Sequence, residues 1–280
     1  MFRAYQTSLE FLQDNRSMLQ KDPLQTVFFE ENARNMPQIT DRFQGFAVKI
    51  EQGGKTLLAA RRLHFPMVLY GDSGLCGPLS EELAGRRLLF RQVLAAPELA
   101  QTFLICYMKA FGGTFRTLRL MDIMYCRRLN PSLPKEPEAE TPGSGDLPAL
   151  AALAGQFHRE ALGEAADLRR LMETLQRDLL RYRAVRRQGE VVSIAKKARE
   201  GQELCAVSNV YTHPAFRGQG LARQVVSSLT REILAQGKLP YLYVDQRNPI
   251  SNRLYQRVGY VYHAPQGEYL YTPPGRGEKG

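Results

Sequence analysis

The stretch of this 280-residue chain that most restricts its fold is Asn209 to Val226, which reads NVYTHPAFRGQGLARQVV. A β-rich run enters it as a strand, the glycines at 218 and 220 interrupt it, and a helical pattern starts at once at Leu221. Two glycines allow a tight turn and a close approach of the backbone to another group. The amides freed at the helix start point at whatever occupies the turn, and the helix dipole favours an anion there. A pyrophosphate fits that description. The turn is not a Walker loop, since no Gly-Lys-Ser/Thr follows. Nor does a GxGxxG with an acid about 20 residues on mark a dinucleotide fold.

The remaining pattern alternates helices with strands and predicts an α/β fold with a central sheet flanked by helices. Asn130 to Pro148, NPSLPKEPEAETPGSGDLP, is rich in proline, glycine and acids and carries no core pattern, so it reads as a linker. The expected division is a domain over 1–130, a linker over 131–146 and a second domain over 147–280. In the first half, helices are predicted over Leu9–Leu19, Leu79–Leu94 and Pro97–Phe111. A hairpin of Phe43–Glu51 and Thr56–Leu63 turns at Gly53-Gly54, and Leu118–Cys126 is a strand. In the second half, Leu147–Arg187 carries two amphipathic helices, the second with Leu168, Leu171, Met172, Leu175 and Leu179 at helical spacing. Strands follow over Val191–Lys197 and Leu204–Tyr211, then a helix over Leu221–Ala235 and a strand over Tyr241–Asp245. A short helix, Pro249–Val258, stops at Gly259, and strands Tyr260–His263 and Glu268–Tyr271 end the pattern.

Composition narrows the class. Hydrophobic residues make up 44% and charged residues 24%, enough for a sizeable core without staples. No stretch approaches the ~20 apolar residues of a membrane span. Arg3, Glu10, Asp14 and Arg16 interrupt the start, so no signal peptide is legible and no membrane partner is expected. Cys76, Cys106, Cys126 and Cys205 form no CxxC pair, which argues against a metal site or disulfide framework and for a reducing, cytoplasmic setting. The net charge of +10 favours anionic partners. Arg169, Arg170, Arg177, Arg181, Arg183, Arg186, Arg187, Lys196, Lys197 and Arg199 supply much of it, as a solvated face or as an anion-binding one. No aromatic residues interleave with them as on a single-strand platform, so specific nucleic-acid binding is not expected.

A second motif lies downstream, Asn248-Pro-Ile-Ser-Asn-Arg-Leu-Tyr255-Gln-Arg-Val-Gly259-Tyr260. Asn248 suits the helix N-cap, Pro249 the first helical position and Gly259 the stop, with Ile250, Leu254 and Val258 as the buried stripe. Arg217, Gly220 and Ala222 fit R/Q-x-x-G-x-G/A, and this second motif fits N-x-x-S/A-x-x-L-Y-x-x-x-G-F/Y. Together, over Leu147 to Tyr271, the chain resembles the GNAT superfamily of acetyl-CoA-dependent N-acetyltransferases. The 1–130 half has a weaker likeness to the non-catalytic, degenerate GNAT-like domain of two-domain members. Leu118–Cys126 looks like the family's first strand, shared across the linker.

The resemblance implies acetyl-CoA as cosubstrate and a primary amine, on a small molecule or a peptide, as acceptor, in a monomer or homodimer. Val210, Tyr211 and Thr212 would pair with the pantetheine arm. Arg217, Gly218, Gln219, Gly220, Leu221 and Ala222 would form the pyrophosphate turn, with amides from Gly218 to Ala222 as donors. Asn248 would help orient the cofactor, and Tyr255 matches the general acid, although a core tyrosine is the other reading of that residue. Some members carry a glutamate base where Ala206 stands here; Glu203 has the opposite strand parity, so the base stays unassigned. The rival reading is an inactive acyl-CoA sensor or a basic regulator binding nucleic acid or protein. Tyr70 to Pro78 contains Gly-Asp-Ser-Gly, but a serine-protease triad needs a histidine and an aspartate brought together by a β-barrel, and only His64 lies upstream. A loop is expected there. His158, His213 and His263 share no ligand spacing.

Overall fold

Gly53 and Gly54, both at positive φ (58° and 76°), close a hairpin between β2 (Gly45–Gln52) and β3 (Lys55–Arg62). Its register runs unbroken from Gly45↔Arg62 to Gln52↔Lys55, as the left-handed two-residue turn dictates. The computed structural model describes residues 1–34, 45–163 and 166–274; Phe43, expected to open this hairpin, lies outside them. The chain divides into two compact units, one formed by 1–123, 245–247 and 264–280, the other by 124–244 and 248–263.

In the first unit, β1 (Phe2–Ala4) pairs with β2, and β4 (Met67–Gly71) with β3, all antiparallel. Next, β5 (Gln92–Ala95) lies parallel to β4, and Gly267–Leu270 of β11 (Val261–Thr272) pairs antiparallel with it. Helices α4 (Cys76–Gly85) and α5 (Pro97–Phe111) cover one face through Leu79, Leu83, Leu99 and Phe103, and β6 (Thr114–Tyr125), where a strand was expected over Leu118–Cys126, follows α5 along the chain. The other face packs Phe11 of α1 (Ser8–Asp14), Leu19 of α2 (Arg16–Leu19) and Phe29 of α3 (Pro23–Arg34) against Ala47, Leu58 and Val68.

The helix expected over Leu79–Leu94 is instead a helix followed by a strand. Arg87 takes a left-handed φ of 55° and the Leu88 amide donates back to the Leu83 carbonyl, which ends α4. Val93, Leu94 and Ala95 are then buried in β5. A short apolar run that is buried on both faces has no period, so sequence alone does not separate it from helix. The Gly-Asp-Ser-Gly string is the entry to α4: the Asp72 carboxylate accepts from the Gly74 amide at 2.8 Å. The two C-terminal strands expected separately are one strand, β11, continuous through Pro265 and Gly267.

In the second unit, β7 (Tyr182–Arg187), β8 (Glu190–Ala198) and β9 (Leu204–Thr212) are antiparallel, and β10 (Leu239–Asp245) joins β9 in parallel. On one face α8 (Leu221–Ala235) and α9 (Pro249–Val258) bury Val225, Leu229, Ile233 and Val258 against Cys205, Val207 and Leu242. On the other, α6 (Leu147–Phe157) and α7 (Leu168–Asp178) set Leu150, Leu153 and Leu175 against Tyr182, Ile194 and Tyr211. The expected helix reaching Arg187 stops at Asp178. Tyr182 and Ala184 are buried and Arg183 pairs with Glu232 at 2.7 Å, an in–out alternation that suits a strand.

Asn130 binds this unit directly, its amide donating to the Val258 carbonyl at 2.9 Å. Gly259 makes that contact possible. At φ 118°, an added Cβ would stand 2.6 Å from the Arg128 carbonyl oxygen and 2.9 Å from the Asn130 nitrogen. Gly259→Ala is therefore expected to destabilise the protein by about 3 kcal/mol, through backbone strain and a clash that no rotamer relieves. Urea unfolding measures it; an unchanged midpoint would rule out this packing.

Candidate functional site

Parallel strands β9 and β10 are paired at Leu204↔Leu239, Cys205↔Pro240 and Ala206↔Tyr241, and their register ends there. Beyond that point β9 is bulged. Between Tyr211, opposite Ile194, and Ser208, opposite Lys196, β9 advances three residues where β8 advances two. The extra residue is absorbed at Asn209, whose φ is 50°. Asparagine tolerates the left-handed region better than most residues, and here its Nδ2 donates to the Tyr182 hydroxyl at 3.0 Å. A bulge bends the strand and re-aims its side chains. Val210 then packs on the α8 side while Tyr211 faces α6. The backbone from Val210 to Thr212 thus leaves β10 and presents an edge on which an extended chain can pair.

The same strand leads into the glycine turn. After a single helical turn at Pro214–Phe216, Gly218 and Gly220 adopt φ of 80° and 79°, and α8 begins at Leu221. Gly220 is the N-cap and has no side chain to bond the first amides of α8. Successive amides bent through left-handed positions form a concave donor set for an anion. Leu221 is buried in the core, so only its backbone faces the turn. The Arg217 guanidinium is engaged nearby, donating to the Thr212 carbonyl at 3.1 Å and to Glu160 at 2.8 Å.

Glu160 was not legible as a site residue. It lies on the wide helical turn (His158–Leu162) that extends α6, and nothing in its local pattern separates it from other solvent-facing acids. In three dimensions it accepts from the Tyr211 hydroxyl at 2.5 Å as well as from Arg217. The Tyr211 hydrogen bond, with help from Arg217, holds the Glu160 carboxyl below the usual carboxylate range. Burial and that carboxylate push the Tyr211 phenol up to about 12. This clamp fixes the end of β9 against the start of the turn. Asn209 was missed for a similar reason, because a bulge is a property of two paired strands.

Downstream, α9 has the caps its sequence predicts. Asn248 Oδ1 accepts from the Ser251 amide at 3.0 Å, Pro249 opens the helix, and Gly259 at φ 118° closes it. The buried stripe differs from expectation. Ile250 is 74% exposed, and Tyr255 and Val258 are the residues that α9 buries. In the first turn of the helix Ile250 points away from the core, and the stripe begins one turn later. The Tyr255 ring meets Tyr260 edge-on at 5.9 Å, and the Tyr260 hydroxyl bonds Thr230 Oγ1 at 2.8 Å. Burial raises the Tyr255 phenol well above the ordinary tyrosine value, so it holds its proton. Ala206 is fully buried and offers no base.

The basic segment is largely neutralised inside this unit. Arg183 and Lys197 pair with Glu232, Lys196 with Asp178, and Arg186 with Glu140 and Asp146. Arg169 and Arg170 on α7 remain about nine-tenths exposed beside Glu173 and Asp167. Among the described residues no helix is long and apolar enough to cross a membrane.

Residues 186–267 match the family model described as FR47-like protein. Among solved structures, the chain is similar to an acetyltransferase of the GNAT family from Colwellia psychrerythraea, at 11% identity and a TM-score of 0.61 over 98% of this chain and 100% of that one. It is similar to a GCN5-related N-acetyltransferase from Sphaerobacter thermophilus, at 18% identity and a TM-score of 0.63 over 98% and 96%. A Drosophila protein gives 13% identity and a TM-score of 0.67 over 98% and 99%. The search of curated proteins returned no match. At these identities the likeness establishes the fold: a GNAT-like mixed α/β architecture, as the motifs predicted.

Proposed function

We propose that this GNAT-fold chain is an acetyl-CoA-dependent N-acetyltransferase that acetylates a primary amine by direct attack. One observation supports it above the others. The bulged end of β9 leads through one short helical turn into the Gly218–Gly220 turn, so a single stretch of backbone offers a pairing edge for a pantetheine arm and then amides for a pyrophosphate. The turn also meets a simple fit test: Gly220 has a left-handed φ and no capping side chain, so its donors face outward.

In this reading Val210 to Thr212 hold the pantetheine arm, and amides from Gly218 to Ala222 hold the pyrophosphate. Arg217, clamped by Glu160, shapes the turn, and Asn248 sets α9 in place. A neutral amine attacks the thioester carbonyl. The β9 amide at Val210 donates to the carbonyl oxygen as negative charge develops there. As the carbon–sulfur bond breaks, the Tyr255 hydroxyl gives its proton to the departing thiolate, and the extra proton shed by the acylated nitrogen passes to solvent, from which the phenol is restored. The phenol suits that task because burial keeps it protonated.

The acceptor must lose a proton before attack. For a lysine-like amine of pKa ~10.4, about one molecule in 10³ is neutral at pH 7, a cost of ~4.6 kcal/mol. With such an acceptor, the rate is expected to rise about tenfold per pH unit below the amine pKa. Because the Tyr255 pKa is raised, loss of its proton should not cut the rate until pH exceeds the ordinary tyrosine value of about 10. A screen of small and peptide amines with acetyl-CoA, following free thiol across pH, tests the assignment. Thiol release no faster than hydrolysis for every amine would reject it.

A further inference from the structure

The linker segment carries no core pattern, yet its acids are engaged on the second unit. Glu136, Glu138 and Glu140 alternate along it, and each reaches a different arginine: Arg223 at 2.6 Å, Arg231, and Arg186 at 3.0 Å. Hydrogen bonds hold the segment between them. Gln224 Nε2 donates to the Pro137 carbonyl at 3.0 Å, and the Ala139 amide donates to Ser228 Oγ at 3.0 Å. Glu140 and Ala184 exchange both backbone bonds, at 2.9 and 2.8 Å. The segment is a strap lying along α8.

Glu136 differs from the other two acids in its position. An added Cβ on Gly220 would stand 2.9 Å from Arg223 Nη2 and 3.6 Å from Glu136 Oε1. The Arg223 guanidinium therefore folds back over the N-cap glycine, with the Glu136 carboxylate beside it. Arg223 Nε is buried and has no hydrogen-bond partner among the described residues. That nitrogen is closed to a ligand, but the guanidinium as a whole is 28% exposed beside Gly220, and its charge can draw one more anion to the amide-lined turn.

We propose that Glu136 sets the affinity of this turn for phosphorylated ligands, as a built-in carboxylate that competes with a pyrophosphate for Arg223. The inference rests on the reading of the turn as the acetyl-CoA site. The strap places a negative charge where the ligand carries its own, and Arg223 divides its attraction between them. Both side chains are only about a quarter exposed, at 28% and 23%, so solvent screens the competition incompletely. Glu138 and Glu140 bond farther along the unit and lack this role.

Calorimetric titration of the full chain with acetyl-CoA, and separately with inorganic pyrophosphate, tests the proposal. Glu136→Gln keeps the shape and an acceptor for Arg223 while removing the charge. It should tighten both ligands by roughly tenfold at low salt, and the gain should shrink as salt rises. Arg223→Gln should weaken both ligands by a similar factor. Glu138→Gln, which loosens the same strap elsewhere, should leave both affinities unchanged. Wild-type affinity in Glu136→Gln, or equal tightening in Glu138→Gln, would overturn the role of Glu136 while leaving the cofactor site standing. No binding of acetyl-CoA by the wild-type protein would overturn the cofactor reading and this inference with it.

Discussion

Tyr255→Phe is expected to lower turnover by ~10² to 10⁴, the usual worth of a positioned acid, with little change in acetyl-CoA affinity. The phenylalanine ring keeps the packing beside Tyr260 and Val258, so the protein should fold. Both kcat and kcat/KM should fall together, because the hydroxyl acts only as the thiolate develops. A thiol of pKa ~8.5 leaves more readily than an alkoxide, which places the loss toward the lower end. Single-turnover rates, measured where chemistry limits, give the comparison. Near wild-type rates would return Tyr255 to a purely structural role in the core.

Gly220→Glu should abolish the stabilisation that acetyl-CoA gives the wild-type protein, expected at ~2.7 kcal/mol for ligand at a hundredfold excess over its Kd. Two effects act together. At φ 79° any side chain costs about 1–2 kcal/mol of backbone strain. The new carboxylate would also stand beside Glu136 at the turn and repel a pyrophosphate. The nearest clash is with the far end of Arg223, a flexible side chain, so the fold should survive. Thermal unfolding with and without acetyl-CoA measures both the strain and the lost shift. Equal ligand shifts in the two proteins would place the cofactor elsewhere.

These two residues also show what could be read without a structure. Gly220 and Tyr255 sit in local motifs whose chemistry depends on sequence neighbours: a glycine pair opening a helix, and a helix bounded by Asn248 and Gly259. Such features carry their own geometry through φ preferences and capping, so the turn, α8 and α9 lay close to expectation. The helix face of α9 did not, since Ile250 sits in the first turn, where helical spacing alone cannot say whether the core extends that far.

Amino-acid order by itself determined the Gly53-Gly54 hairpin, the glycine turn and the helices α8 and α9, because each depends on contacts within a few residues. Tertiary structure decided the rest. β5 and β7 became strands because neighbouring strands accepted their backbone groups, overriding a local pattern that also suits helix. The bulge at Asn209 arises from the pairing of β9 with β8. Glu160 reaches Tyr211 and Arg217 across 51 and 57 positions, and Glu136 reaches Arg223 across 87. Charged side chains at that separation meet only once the core has brought their backbones together, and no local propensity encodes the meeting.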